Sequence, residues 1–548
     1  MSLDTLLKPV LSQLPLIRPE DEVEVLQELP VETLYLALKE ADGETAMWLL
    51  ENAQPNQVQG IMDLDCWDGS EFKADRALLF FENMALLEAP KLFIYMKEVD
   101  PEFVVRCLME LCEVQDYDPQ NPPEQDENGI LLSPDNKYAL LFKNAEPQHQ
   151  EAVRQWLDKL SSTSLDLMRR HLESCKWEQI SDLEEFAYQI KKGRLEDMGF
   201  VDYYEAIGLY GRGTAISLKE KLIQEPLDKD QKLKVRSYED YGDGNVDPAD
   251  IEMWLPKPIK GAILGSGFVS DCIAMISSQE LKEVLLQEIL RSVNAGLSAD
   301  RVLHLDLEQI RKSSERARKY LDLGLSYLAE GNRERGALML ERQSVSDIHR
   351  LGWLCAQDLV AAALTVATKA SADFFPEIDA QFLQSLQGRH PELNAKILKD
   401  LGATSETLID LASLLKAGQR LAHMSALHKY FAEDLAKTLQ WNTQPRRSGE
   451  SFLARLITAL FRQSCSGNLE QALDVTPLSS NEWLTLIKNF DEGIVAKGLS
   501  MIVERAPQAA QAFLQKRVSE ALEDLAKLAK NSKEKAPDPR FTKVLVLE

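Results

Sequence analysis

The sequence predicts an all-α protein with a short-helix, superhelical or solenoid-like N-terminal layer, a larger helical C-terminal domain and a minor β-hairpin. Apolar residues recur at helical spacing along most of the chain. Prolines and capping residues punctuate the N-terminal stretch about every three turns. A strand signal is confined largely to GILLSPDNKYALLF at residues 129–142.

The N-terminal helices are read from LPVETLYLALKEA, DGETAMWLLENA, QPNQVQGIMDLD, FKADRALLFFENMALLEA, PKLFIYMKEV and DPEFVVRCLMELCEV. Pro30, Pro55, Pro90 and Pro101 each fall where a first turn begins, where the missing N–H costs nothing and the fixed φ helps. Helices this short cannot bury an apolar stripe alone, so residues 1–115 are expected to stack into one acidic layer. Residues 116–147 combine the polar, proline-rich QDYDPQNPPEQDENG with the hairpin around Pro134-Asp135-Asn136.

Residues 148–210 return to helix, with apolar positions at Val153, Trp156, Leu157 and Leu160 and again at Leu165, Leu167, Met168 and Leu172. The run RLEDMGFVDYYEAIGLY then carries its own punctuation. Gly199 suits the left-handed position that ends a helix, with Phe200 packing back onto it. Asp202 is expected to cap the next helix, with Glu205 closing a capping box. Residues 211–262 lack a sustained helical period and predict an irregular, loop-rich segment. Residues 263–535 are expected to be helical, including a helix-turn-helix in ARKYLDLGLSYLAEGNRERGALMLERQ. Residues 536–548 form a tail: AKLAKNSKEKAPDPRF leads into it as a mildly basic, frayed stretch, and TKVLVLE can add one short strand.

Charge is sharply segregated. Residues 1–130 hold 28 Asp and Glu against 8 Lys and Arg, so they contribute −20 of the chain's formal −26. Phosphate repulsion argues against nucleic acid as a partner, and the natural complements are cations or a basic protein surface. An acidic shell that only keeps the layer soluble is the alternative. No window of about twenty unbroken apolar residues is present, so an integral membrane protein is not expected. The start lacks a basic n-region and a cleavage site, which leaves a cytoplasmic location. The seven cysteines are scattered without metal spacing and read as buried apolar residues.

Motifs for chemistry are sparse. Asp63, Asp65, Asp68 and Glu71 in DLDCWDGSE offer carboxylates for a hard cation such as Mg2+, although capping and surface acidity explain them too. EDYGDGNVDPADIE places Glu239, Asp243, Gly244, Asp247 and Asp250 partly as a calcium loop would, with Tyr241 where an acid is expected. Gly265 and Gly267 in ILGSGFVSD lack the further glycine and lysine of a phosphate cradle. His423 and His428 stand five apart and cannot share a metal across one helix face. No catalytic residue and no organic cofactor are assigned.

The helix pairs of the form LP-x-E…LL and the DLDCW element resemble the superhelical intracellular N-terminal domain of bacterial magnesium transporters over residues 15–115. That resemblance implies an acidic module responsive to magnesium, while the transporter's membrane part has no counterpart. RLEDMGFVDYYEAIGLY and LGLSYLAEGNRERGALMLERQSVSDIHRLGW resemble an uncharacterised bacterial domain-of-unknown-function family. This second resemblance implies the architecture and marks Arg194, Asp197, Gly199, Phe200, Asp202 and Glu205 as motif positions, without an activity. Two function classes follow: a cytosolic interaction or regulatory scaffold with a possible divalent-cation response, or an enzyme with a site among the helical domains.

Overall fold

The computed structural model describes residues 22–123, 129–143, 146–226, 266–370, 374–402, 410–435, 451–467, 473–539 and 542–548. Two compact units divide the chain, Met1–Gly213 with Ser217–Gly352, and Thr214–Ile216 with Trp353–Glu548. The described residues are mainly helical, with only two small sheets.

The first unit opens with α1 Glu22–Glu28, α2 Val31–Glu40, α3 Gly43–Asn52 and α4 Pro55–Asp65, followed by α5 Ala74–Leu86, α6 Ala89–Glu98 and α7 Pro101–Leu111. Pro55, Pro90 and Pro101 lie in first turns, while Pro30 is one position earlier, at the cap of α2. Each helix buries one apolar face, with Leu34, Val58, Phe81, Leu92 and Val104 all fully enclosed. Buried polar groups tie neighbouring helices: Gln57 Nε2 donates to the carbonyls of Leu26 (2.9 Å) and Leu29 (2.8 Å). Such bonds satisfy helix-end carbonyls that would otherwise be stranded.

Two elements differ from the sequence expectation. DLDCWDGSEF folds into a two-residue hairpin, β1 Trp67–Asp68 and β2 Glu71–Phe72, around Gly69 at φ +65°. The expected hairpin, β4 Ile130–Leu132 and β5 Tyr138–Phe142, gains a third strand, β3 Cys112–Asp116, in the antiparallel order β3-β5-β4. Cys112 and Val114 alternate with exposed Glu113, so the end of the α7 segment carries a strand period that the preceding helical period masks.

The unit continues with α8 Pro147–Thr163, α9 Leu165–Trp177, α10 Ile180–Asp197, the single turn α11 Tyr203–Ala206 running into a 3-10 turn, and α12 Ala215–Gln224. Helix α12 corrects the expectation of irregular backbone across 211–262. Its buried Ala215 and Leu222 stand seven apart on one face, and Gln343 caps the Leu222 carbonyl at 2.7 Å. The rest of that segment from 227, with the Glu239–Asp250 loop, lies outside the described residues, as does Gly265.

Helices α13 Phe268–Met275, α14 Gln279–Asp300, α15 Leu307–Ala329, α16 Arg333–Arg342 and α17 Val345–Lys369 follow. The predicted helix-turn-helix is α15 and α16, joined through Gly331 at φ +75° and capped by Asn332. Helices α15 and α17 cross with their backbones in contact at two glycines. A Cβ on Gly324 would run into the Ile348 carbonyl, and one on Gly352 into the Tyr320 carbonyl. Among the described residues α17 alone is long and apolar enough to cross a membrane, and more than half of its most apolar window is buried.

The second unit contains the rest of α17 with α18 Glu377–Ser385, α19 Ala395–Asp400, α20 Leu411–Lys429, α21 Phe452–Ser466, α22 Ser480–Leu486, α23 Glu492–Arg505 and α24 Gln508–Asn531. Phe382, Phe461 and Trp483 form the centre of its core. A buried ion network crosses that core: Asp379 accepts from Arg420 Nε (2.9 Å) and Arg517 Nε (3.0 Å), and Asp400 accepts from Arg517 Nη2 (2.8 Å). Burial works against the Asp400 charge, but Arg517, Lys516 and Arg420 outweigh it and hold the carboxyl well below its ordinary range. Of the stretch expected to fray, residues 526–531 continue α24, and TKVLVLE forms a single bridge where one short strand was expected. Leu545 and Val546 are buried, and Leu478 N donates to the Val546 carbonyl at 2.9 Å in a single parallel bridge.

Replacing Gly324 or Gly352 by alanine should destabilise the fold by at least the 1–3 kcal/mol usual for overpacking, because backbone must move at both sites. Thermal melts of the two variants check this, and a midpoint equal to the parent's would show that the crossing is looser than drawn.

Candidate functional site

The site grows from the acidic end of α4. Its last turn carries Asp63 and Asp65 inward, at 3% and 5% exposure, in a helix whose other face is already committed to the core. Such carboxylates need internal cations, since desolvation without a partner costs several kcal/mol. Arg194 from α10 supplies the first. Its Nε and Nη2 reach Asp63 at 2.6 and 3.0 Å, and its Nη2 and Nη1 reach Asp100 at 2.6 and 3.2 Å. Gln59 closes the ring, donating to Asp63 (3.1 Å) and accepting from Asp100 N (2.8 Å). Burial pushes the Asp63 carboxyl above its usual range, with Arg194 and Gln59 pulling against it.

One helical turn before Arg194 stands Lys191, on the same face of α10 as Tyr188 and Leu195. Its Nζ donates to the Gly69 carbonyl at 3.0 Å and lies over the Trp67 and Tyr188 rings at 4.7 and 5.2 Å. Among the described residues no carboxylate is within ion-pair reach of this amine. Burial lowers its pKa to about 8, against the distant pull of Asp63, Asp202 and Cys66. Tyr188 donates to Asp202, which also accepts from Tyr204 N at 3.0 Å. Lys191, Trp67, Tyr188, Asp202 and Arg301 line a cavity of about 30 Å³, space for a water or two.

The motif positions divide between this site and its frame. Gly199 sits at φ +76°, where its N–H reaches the Glu196 carbonyl (3.0 Å) and Phe200 N reaches Leu195 (2.8 Å), the paired bonds of a Schellman end. Phe200 is buried and Asp202 caps α11. Asp197 is exposed at the end of α10. Glu205 does not close a capping box on this one-turn helix; its carboxylate lies 3.9 Å from Arg291.

Asp63, Asp65 and Asp68 do not converge on one point. Asp63 faces Arg194, Asp65 faces Lys39 and the Tyr35 hydroxyl (3.1 Å), and Asp68 faces Arg301 with Lys73 at 3.5 Å. Glu71 shares Lys73 and Arg301. Among the described residues no three His, Cys, Asp or Glu side chains are grouped to hold a metal. His423 and His428 pack against different rings, Phe513 and Phe374.

The sequence reading passed over Lys191, Tyr188, Trp67, Asp100 and Arg301. A signal for Lys191 was present, since Leu183, Tyr188 and Leu195 mark one buried stripe of α10 and Lys191 falls within it. Arg301 leaves no local signal, because it comes from the far end of α14 at φ +57°. A cavity of about 230 Å³ adjoins Val201, Glu205, Arg291, Asp347 and Arg350, and one of about 430 Å³ in the second unit lies against Phe375, Glu377, Leu453, Arg517 and Lys543.

Replacing Arg194 by methionine should cost about 3–5 kcal/mol near neutral pH, the usual penalty for stranding a buried charge. The pH dependence has a definite sign. With its folded pKa raised further, Asp63 stabilises below the unfolded carboxylate value of about 3.9 and loses that contribution as pH rises through the folded value. The deficit against the parent should therefore shrink as melts are taken from pH 7 towards pH 5. A deficit independent of pH would show that Asp63 does not depend on Arg194.

No curated protein and no solved structure matches the chain. One family model, described as a family of unknown function (DUF6178), matches residues 15–548, and nothing supports the magnesium-transporter resemblance beside it. Because that match covers nearly the whole sequence, the chain belongs to this family of unknown function.

Proposed function

We propose that the chain is a cytosolic protein-interaction or regulatory module whose acidic N-terminal helices receive a basic partner surface. The observation behind this reading is how charge is disposed in residues 22–123. Four of the six cations in residues 22–123 are engaged by the fold, Lys39 on Asp65, Lys73 on Asp68 and Glu71, Arg106 on Glu110 and Glu184, and Lys91 on the Ala53 carbonyl, while Lys97 stays outside on Glu98 at 3.2 Å. Glu24, Glu28, Glu44, Glu51, Asp75 and Glu88 are exposed, with no cation on any of them among the described residues. Buried Asp63 and half-buried Asp100 and Asp68 of the same layer draw Arg194 and Arg301 from later helices. What remains outward carries a large excess of negative charge, which steers an oppositely charged partner and sets specificity. A reducing compartment is supported by seven cysteines held as thiols, six of them buried.

A second reading, an enzyme of unknown class, has one specific observation in its favour, the buried Lys191 amine beside a cavity.

The first reading is tested with Glu24, Glu28, Glu44 and Glu51 together replaced by glutamine. Surface changes of this kind leave stability within about 0.5 kcal/mol each. Crosslinking and mass spectrometry in the native lysate should find basic partners attached within residues 22–115, reduced at least about tenfold in the variant and by raised salt. Partners held equally by both chains, or attached only elsewhere, would contradict it.

A further inference from the structure

We propose that Lys191 is a nucleophilic amine that condenses with the carbonyl of a one- or two-carbon aldehyde admitted to the cavity at its side, forming an imine. This stands independently of the interaction reading, and either can fail without the other.

Placement is the first ground. The Gly69 carbonyl and the faces of Trp67 and Tyr188 hold the amine at one end of an otherwise flexible chain, so little side-chain entropy is left to lose on reaction. With 6% exposure retained, the residue borders the cavity instead of being sealed in the core. The charged groups facing it are already occupied. Asp63 from α4 is held by Arg194, Asp202 ahead of α11 by Tyr188 and Tyr204 N, and Arg301 from α14 by Asp68; Cys66 at the end of α4 is a buried thiol. None is left to fix the amine as an ammonium through a direct ion pair.

Protonation agrees with the geometry. With a pKa lowered to about 8, roughly a quarter of the amine is neutral at pH 7.5, about 200 times the neutral fraction of an ordinary lysine. The lone pair adds to the carbonyl carbon, and both amine protons then leave with the carbonyl oxygen as one water, so that a C=N bond replaces C=O. No oxidant or further reactant is needed. Space selects the reagent, because about 30 Å³, room for a water or two, admits at most a one- or two-carbon aldehyde and excludes an aromatic one.

The test uses the full native chain with limiting acetaldehyde and cyanoborohydride, which reduces the imine to a stable secondary amine, and peptide mapping of the modified lysines. Lys191 should be ethylated at least about ten times faster than the exposed Lys137, which lies outside the cavity, at pH 7.5, and this ratio, in which the reduction step common to both lysines cancels, should narrow above about pH 8. 4-Carboxybenzaldehyde under the same conditions should label Lys137 and leave Lys191 largely unmodified. The variant Lys191→Met should lose the fast-labelled peptide alone, and should this variant not fold, the map of the native chain decides. Lys191 labelled no faster than Lys137, or only after urea is added, would overturn the proposal.

Discussion

The first unit depends on one guanidinium. Arg194 holds Asp63 and Asp100 at once, from the last turn of α4 and the cap of α7, and so fixes α10 against both. The two acids are buried to different degrees, and Asp63 has almost no access to water. A buried acid of this kind is tolerable only with a cation in fixed geometry, and the planar fork of arginine gives each of the two carboxylates a pair of directed N–H bonds. Everything further along α10 inherits that placement. Lys191 meets the Gly69 carbonyl because Arg194, one turn later, has set the rotation of the helix.

The same reasoning explains why an acidic layer recruits later parts of the chain. Residues 1–130 hold eight cations against twenty-eight acids; Lys39 meets buried Asp65 from within the layer, while buried Asp63 and half-buried Asp68 are met by Arg194 and Arg301 from α10 and the end of α14. Unlike charges thereby bind sequence-distant helices into one unit. The acids that remain outside keep their field. The second unit solves a similar problem with two arginines on two aspartates, Arg420 and Arg517 on Asp379 and Asp400.

Much of the fold was legible because helix punctuation is local. Pro55, Pro101, Asp202, Asn332 and Gly199 act within a turn or two of where they stand, and the helices they bound are present. Features that failed to show in the sequence are set by contacts distant in the chain. The strand Cys112–Asp116 exists because Tyr138–Phe142 pairs with it, and TKVLVLE, whose strand pattern was visible, has Leu478 and Thr458 as partners that the pattern did not reveal. The site was half visible. Arg194 and Gly199 lay in a recognisable phrase, but that Asp63, Asp65 and Asp68 face three different cations could be learned only once α2, α10 and α14 were brought together. Gly324 and Gly352 stood in the second recognisable phrase, and their role as the meeting point of two backbones is likewise tertiary.

A double-mutant cycle between Arg194 and Asp63 probes the central constraint most directly, with Arg194→Met, Asp63→Asn and the pair compared by denaturant unfolding of the full chain. Coupling of about 2 kcal/mol or more is predicted, Asp63→Asn being costly in the parent and nearly free, or stabilising, once Arg194 is gone. Additive effects within about 0.5 kcal/mol would contradict it, and would mean that α10 is held in place by its apolar face alone.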